Sequence, residues 1–451
     1  EHAPDYVSRL ERFNDPAGGI DVKRYRWNWR PRTTENHDNW YAFTNLVETI
    51  NDTAAGYEKR AARWIDIRNF LWPVALNHVV GNWDSYGYER GKNMYIYKPD
   101  NQGWRMLPWD IELALDNDSR SPTDSIYSIH DPALRAFIRS SPAIEREYLM
   151  AFQEAVDSVL LPEVVNPILD ERYENLLANG IPVASPNSIE VWIASRRSYL
   201  QSVLPTAEFA VDATDTPVSS NRAVLTGSAP LQVAEICVNG RPYPVEWTST
   251  TSWQLTLPLN AGANTLLISG RDRFGNEVDG ANSVENITFD GSNPDPEGVV
   301  VINEIHPSPE DRAAQFLELH NASTNHMFDL SGWRINGVVY TFPEGSLIAP
   351  GEYLLLVEDE YQFAARRPDL TIFDAYDGSL DPIGETLTLF RPGEALGEEI
   401  VVDRVRYENT APWSSFSGGY SLQLIDPSLD NARVTNWVQG IEGFSTILQS
   451  E

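Results

Sequence analysis

The sequence predicts a multidomain chain, α+β in its first part and all-β after it. Three observations lead there. Up to about residue 205, apolar residues recur at three- and four-residue intervals, the period of amphipathic helices. From residue 206 the pattern changes to short alternating runs cut by glycine, proline and Asn-Gly pairs, the signature of strands and turns. The charge changes with the pattern: residues 1–205 hold 22 Lys+Arg and 29 Asp+Glu, residues 206–451 hold 12 and 36. A length of 451 residues fits about three domains at ~150 residues each. An apolar content of 42% is ordinary for globular material with real cores.

Residues 1–205 read as the first domain, mainly helical. WYAFTNLVETIND and RWIDIRNFLWPVALNHVV carry the helical period, and Asp66 is placed to cap or pair within the second. PALRAFIRS, EREYLMAFQEAVDSVLL and VNPILDERYENLLANG follow, the last stopping at Asn179-Gly180, a helix C-cap pair. SPNSIEVWIASRRSYLQSVL opens on Ser185-Pro186-Asn187 and ends at Pro205. Between the helices lies a β-hairpin: NMYIYKPD, the turn NQG, then WRMLPWD. Residues 206–295 read as a β-sandwich built from AVLTGSA, AEICVNGRPYPVEW, SWQLTLPL, NTLLISGRD and VENITFD, with GSNPDPEG (291–298) as a linker. Residues 296–451 read as a second all-β unit. Its strands are VVVINEIHPSP, QFLELHNAS, GWRINGVVYTFP, GEYLLLVED, ETLTLFRPG, EIVVDRVRYE and GYSLQLIDP.

Composition removes several function classes. A net charge of −31 argues against nucleic acid or an anionic membrane as partner, and it is compatible with Ca²⁺ or a saline exterior. No stretch approaches the ~20 apolar residues of a membrane helix. The chain opens EHAPDYVSRL, without a signal-peptide pattern, and reads as a mature, processed or truncated product. Cys237 is the only cysteine, so intramolecular disulfides and thiolate zinc sites are excluded, and a buried small apolar role is expected for it. His37, His78 and His306 have no second histidine at a ligand interval, and His320 and His326 are six apart across a turn; none is assigned a metal or triad role. Neither a G-x-S-x-G elbow nor a G-x-x-x-x-G-K-[ST] loop is present.

The chemistry concentrates in GNWDSYGYERGKNMYIYKPDNQGWRMLPWDIELAL, residues 81–115. Asp84 follows a helical run, Asn93 enters the first hairpin strand, and Asp110 closes the second. A carboxylate and a carboxamide can share a divalent ion through oxygen. A second carboxylate can orient or deprotonate an attacking hydroxyl. Phosphoryl transfer needs this division of labour, while capping and turn roles are the plain alternative. The segment resembles the core of the CotH (spore-coat-H-type) kinase family, with Gly81, Asn82, Asp84, Asn93, Tyr95, Tyr97, Trp104, Pro108, Trp109 and Asp110 in pattern. The resemblance extends more loosely over residues 20–205. It implies an atypical-kinase-like C-terminal lobe, with Asp84 and Asp110 catalytic and Asp84 the base. It also implies that Asn93 and Asp110 sit under the ATP phosphates as ligands of Mg²⁺ or Mn²⁺. Glu112 stands where the family has a second aspartate, its longer side chain still able to reach a metal. Lys23 and Lys59, the only lysines upstream, lie in no nucleotide-covering strand, so the nucleotide-covering lobe is expected to be missing from this chain.

Residues 299–437 resemble a lamin-tail domain, an immunoglobulin-like sandwich, through VVINEIHPSPEDRAAQFLELHNAS, DLSGWRI, FPEGSLIAPGEYLLLVED, GETLTLFRPG, DRVRYE and PWSSFSGGYSLQLIDPSLDN. There Asn303, Glu304, Glu318 and Asn321 are expected to pin strands and turns rather than bind metal, and Trp333 and Trp413 to be core or corner residues. The middle unit resembles bacterial immunoglobulin-like modules, and its Asp272, Asn276 and Glu277 form either a Ca²⁺ site or a plain turn network. The expectation is therefore a bacterial protein that is secreted, at the cell surface or periplasmic. As this chain alone it is expected to be structural or adhesive and inactive as an enzyme. The alternative is an active secreted atypical kinase using Mg·ATP once joined to the missing N-terminal part of the same precursor. Its partner would be a protein or a surface polymer.

Overall fold

The computed structural model describes residues 8–32, 40–54, 57–213, 216–309, 314–367, 370–395, 397–416 and 419–440. His37 lies outside these residues. The chain divides into two compact units. The first is residues 1–208 with 228–234 and 247–253; the second is residues 209–227, 235–246 and 254–451.

The first unit is helical with one small sheet. Its helices are α1 (Val22–Tyr25), α2 (Tyr41–Ile50), α3 (Tyr57–Trp64), α4 (Ile67–Val80), α5 (Pro132–Ile138), α6 (Pro142–Glu154), α7 (Pro162–Ala178) and α8 (Asn187–Val203). A π-helical turn, Ala155–Val159, continues α6. Strands β1 (Met94–Tyr97) and β2 (Arg105–Pro108) form an antiparallel hairpin in which Tyr95 faces Leu107. The run expected as one helix from Arg63 is broken at Ile65-Asp66. Asp66 caps α4 through Asn69 N–H, and the chain on either side bonds to the hairpin: Trp104 N–H donates to Trp64 O and Asp66 N–H to Trp104 O. Those two backbone bonds replace the helical ones that a continuous helix would have made. Phe70, Leu71, Val74 and Ala75 of α4 and Tyr148, Leu149 and Phe152 of α6 fill the core. Arg146 of α6 is almost fully buried, yet it faces no carboxylate. Its guanidinium lies 3.6 Å from the Trp247 ring centre and donates to Thr250 O (2.5 Å), Pro230 O (2.6 Å) and Val233 O (2.7 Å). Segments 228–234 and 247–253, which belong to this unit, thus supply carbonyl acceptors to the buried cation.

The second unit is all-β. Residues 210–289 supply two four-stranded sheets, ordered β10-β9-β5-β6 and β3-β4-β8-β7. The strands are β3 (Ala210–Val211), β4 (Arg222–Ser228), β5 (Glu235–Val238), β6 (Arg241–Pro242), β7 (Val245–Trp247), β8 (Ser252–Pro258), β9 (Gly262–Arg271) and β10 (Glu277–Phe289). Cys237, on β5, is fully buried. Residues 300–439 supply β11 (Val300–His306), β12 (Phe316–Asn321), β13 (Phe328–Asp329), β14 (Arg334–Asn336), β15 (Tyr340–Thr341) and β16 (Leu347–Ile348). They continue through β17 (Tyr353–Val357), β18 (Asp374–Ala375), β19 (Thr386–Pro392), β20 (Glu399–Arg406), β21 (Leu422–Leu424) and β22 (Trp437–Gln439). A six-stranded sheet, β18-β17-β12-β11-β21-β22, and a four-stranded one, β15-β14-β19-β20, share one core. Ile302, Leu317, Leu319 and Leu356 meet Ile335, Leu387, Leu389 and Val405 in it. The alternate residues Phe316, Leu355 and Val357 are buried too, because a short helix α9 (Glu360–Arg366) sets Phe363 and Ala364 against them. That helix, capped by Asp359, interrupts a region expected to hold only strands. Asn221 exchanges two bonds with the Met327 backbone, at 2.8 and 3.0 Å, tying the earlier strands to the later ones inside this unit.

Asp403 on β20 is a buried carboxylate served by uncharged donors. Ile302 N–H and Asn431 Nδ2 both reach its Oδ2 at 2.6 Å, and Arg404 N–H reaches Oδ1. Burial outweighs these bonds and pushes its pKa up from 3.8 to about 6.

Two outcomes are expected. Replacing Arg146 with Met removes its bonds to three carbonyls, of which Pro230 O keeps Val233 N–H, and lowers stability by about 3 kcal/mol, measured by urea unfolding followed through tryptophan fluorescence. For Asp403 the folded-state pKa is the higher one. Its stabilising contribution is therefore present below about pH 4 and is lost as the pH rises through about 6. The amplitude is on the order of 3 kcal/mol. Melts of an Asp403→Asn variant across pH 4–7 should lose this dependence, and a variant with the wild-type pH profile would contradict the assignment.

Candidate functional site

The site grows from the end of α4. Gly81 closes the helix at φ 72°, and a β-carbon there would meet the Trp192 ring at 2.7 Å, so both backbone and space require glycine. Asn82 then folds back on the helix. Its N–H donates to Asn77 O (2.8 Å) and its Nδ2 to Asn77 Oδ1 (3.0 Å). Asn77 itself donates to Pro73 O, inside the helix. Asn82 O accepts the Ser85 hydroxyl at 2.7 Å. These bonds set the direction in which Asp84 leaves the helix.

The loop from 85 to 92 is held by buried polar groups. Tyr86 N–H donates to Lys92 O at 2.7 Å. The His78 ring, fully buried, lies 4.1 Å from the Tyr88 ring in a stack, and its Nε2 is 2.9 Å from Gly87 O. Burial drives the His78 pKa down to about 3, so the ring is neutral and must carry its proton on Nε2 to donate to that carbonyl. Arg196 of α8 is buried behind it. It donates to His78 O (2.7 Å), Pro122 O (3.0 Å) and Asp124 O (2.6 Å), and burial lowers its pKa. Tyr88 OH donates to Asp124 at 3.0 Å. None of these groups faces solvent as a catalyst would; their work is to fix the loop.

Asn93 joins the two halves of the site. It stands in the left-handed region at φ 57°, which a short amide side chain tolerates. From there Nδ2 donates to Asp84 O (2.7 Å) and to Asp84 Oδ2 (3.2 Å). Lys92 Nζ lies 2.7 Å from the same Oδ2. Across the hairpin, Trp109 N–H donates to Asn93 O at 3.1 Å, which brings Asp110 next to Asn93 in the chain path. Asp110 is also left-handed, at φ 60°, and exposed. Hydrogen bonds thus join Asp84 to Asn93, while Asp110 follows Trp109, whose N–H bonds Asn93 O, and enters the set by chain position alone. Glu112 is exposed two residues further on; its carbonyl accepts Asn117 Nδ2 at 2.6 Å. Among the described residues no three His, Cys, Asp or Glu side chains gather as a metal cluster.

The residues named in the β unit have close partners. Asn303 Nδ2 donates to Glu318 Oε1 (2.8 Å), the Ser421 hydroxyl to Glu304 Oε1 (2.5 Å), and Asn321 Nδ2 to the carbonyls of His326 and Ala349. All four residues are buried and connect neighbouring strands or turns. Trp333 is buried in the core and Trp413 packs at its edge. Asp272 closes its own turn: Oδ1 accepts Phe274 N–H and Asn276 N–H, and Oδ2 accepts Asn276 Nδ2.

Residues 7–190 match the family model of the CotH kinase protein, and residues 293–409 match that of the lamin tail domain. The chain carries a CotH kinase region and a lamin tail domain. No curated protein matches it. The CotH match contains all of α4, the 85–92 loop and the hairpin, and so every residue of the linked set. Sequence reasoning missed Lys92, His78, Tyr88 and Arg196. Lys92 had a signal in its position directly before Asn93. The buried polar residues had none, since nothing in their local pattern separates them from surface residues.

Gly103 tests how the hairpin is seated. A β-carbon there would fall 2.3 Å from Asp66 N and 2.6 Å from Ile65 C, both backbone atoms that cannot move aside. Gly103→Ala should push the hairpin off α4 and cost at least about 2 kcal/mol. A thermal melt that leaves Tm unchanged would show the seat to be looser than described.

Proposed function

We propose that the CotH region is a phosphoryl-transfer site and that its chemistry centres on Asp84. One observation carries this reading: the Asp84 carboxylate, nearly buried, is held from one side by the Asn93 amide and the Lys92 ammonium. Both contacts fall on Oδ2, which leaves Oδ1 for a hydroxyl. A scaffold has little reason to keep a carboxylate at the mouth of an ordered loop, since a capping role would spend both oxygens on backbone N–H groups.

The residues suit a hard divalent ion. Asn93 and Asp110 offer only oxygen ligands, with Glu112 close by in the chain. A Mg²⁺-type ion keeps several waters and takes one or two carboxylates plus substrate phosphates, so no three-acid cluster is required. Mg²⁺ or Mn²⁺ bound there would neutralise charge on the nucleotide phosphates. Asp84 orients the acceptor hydroxyl and accepts its proton. The hydroxyl oxygen bonds to the γ-phosphorus while the bond from that phosphorus to the β,γ-bridging oxygen breaks, and the electron pair leaves with the nucleoside diphosphate.

The acceptor class is a protein or a surface polymer bearing hydroxyls, outside the cytoplasm or at the cell surface. The strand orders of residues 210–289 and 300–439 support reading them as two immunoglobulin-like sandwiches following a kinase-like lobe of residues 1–205. These sandwiches would act as spacers and contacts. A structural or adhesive role without catalysis is the second reading, favoured by the exposure of Asp110 and Glu112.

Incubating the full chain with γ-labelled ATP and Mg²⁺ or Mn²⁺ decides between them. Label should pass to the chain or to water. Asp84→Asn should reduce the rate by roughly 10²–10⁴-fold, as expected for loss of a general base. Asp110→Ala should reduce it comparably and weaken its dependence on metal concentration. If the wild type transfers nothing, or both variants match it, the scaffold reading stands.

A further inference from the structure

We infer that Lys92 is a catalytic residue: the cation that binds the phosphoryl group while it is in transit between donor and acceptor. The inference rests on the phosphoryl-transfer reading and adds a residue to it.

Position comes first. Lys92 Nζ is 2.7 Å from Asp84 Oδ2, and the two side chains differ sharply in exposure, 56% for Lys92 against 11% for Asp84. The ammonium therefore lies on the solvent side of the carboxylate, where a bound phosphate would arrive. Its backbone does not wander. Lys92 O accepts Tyr86 N–H, and the next residue is Asn93, locked in its left-handed turn by two bonds to Asp84.

Energetics then ask why the lysine is there. An ion pair with one half-exposed partner contributes about 0–1 kcal/mol, so stability is a weak reason for it. Charge is a better one. The chain has net charge −31 and is strongly unfavourable surroundings for a nucleotide. Among the described residues, Arg90 and Arg120 each lie 5.4 Å from the ring centre of neighbouring Trp83, and Arg120 is paired with Glu89. Lys92 is the cation that touches the proposed base.

The chemistry couples the two groups. An ammonium has three N–H donors, and the contact with Asp84 takes one. The remaining donors can bond non-bridging oxygens of the γ-phosphoryl group. As the acceptor oxygen bonds to phosphorus and the bridging bond breaks, the hydroxyl proton passes to Asp84 and the electron pair leaves with the diphosphate. The ammonium would thus bridge the Asp84 carboxylate and the phosphoryl oxygens. Such a contact strengthens in the transition state and leaves ground-state binding nearly unchanged.

The experiment uses the full chain with MgATP, taking the chain itself or water as acceptor. Lys92→Met should lower kcat roughly 10²-fold with little change in KM for MgATP. Lys92→Arg should recover part of the loss. A second measurement needs no turnover: Lys92→Met should bind MgADP as the wild type does, yet lose most of its affinity for MgADP with aluminium fluoride, a mimic of the phosphoryl group in transit. The inference is overturned if Lys92→Met keeps wild-type kcat, or if its defect appears only in KM or Tm while aluminium fluoride binding is intact. An inactive wild type overturns the underlying reading as well, whereas an active wild type with an equally active Lys92→Met overturns this inference alone.

Discussion

The CotH region depends on one residue that bonds in two directions. Asn93 gives its amide to Asp84 at the end of α4 and its carbonyl to Trp109 at the end of the hairpin. It joins the loop after the helix to the hairpin, whose other bonds to α4 run through Trp104 and Asp66. The left-handed backbone at residue 93 makes this possible by turning the side chain back toward the loop as the chain enters β1. A β-branched residue would meet a steric penalty in that conformation and could not supply the amide. The surrounding polar core serves the same end. Neutral His78 binds the Gly87 carbonyl of the loop before Asn93, and Arg196 binds the carbonyls of His78, Pro122 and Asp124 beside it.

Much of this was legible in the sequence, and the reasons differ by element. The helical period and the stop at Gly180 mark α7 and α8 because local spacing and cap chemistry are local properties. The hairpin of residues 93–110 was readable from alternation and an Asn-Gln-Gly turn. The break at Ile65-Asp66 was not, because it depends on Trp104, almost forty residues away, competing for the same backbone groups. Helix α9 was missed for a related reason: Glu360–Arg366 is a short segment whose apolar residues matter only once β12 and β17 offer a face to cover. Asp84, Asn93 and Asp110 could be named from residue type and resemblance, while the Lys92 contact required the loop's path.

The β unit shows that buried polar residues need not signal chemistry. Glu304 and Glu318 sit opposite each other in the β11–β12 register, fully buried, in a pattern that could pass for a ligand pair. Glu304 Oε1 accepts from Ser421, beside β21, and Glu318 Oε1 from Asn303 on β11, so these bonds link neighbouring parts of one sheet. Asp272 is a surface version of the same economy, with its oxygens turned to the N–H groups and amide of its own turn.

Asp84 and Asp403 make the contrast physical. Both carboxylates are largely withdrawn from water. Asp403 meets two backbone N–H groups and one side-chain amide, all uncharged, and burial pushes its pKa up to about 6. It ties β11 to β20. Asp84 instead meets a cation that is itself half in water. A counter-ion so placed contributes little to stability. Under the proposed phosphoryl transfer it would place a positive charge where the nucleotide's phosphates arrive. The two aspartates differ in their partners: Asp403 is bound by uncharged donors, two of them backbone N–H groups, and Asp84 by the Asn93 amide and the half-exposed Lys92 ammonium.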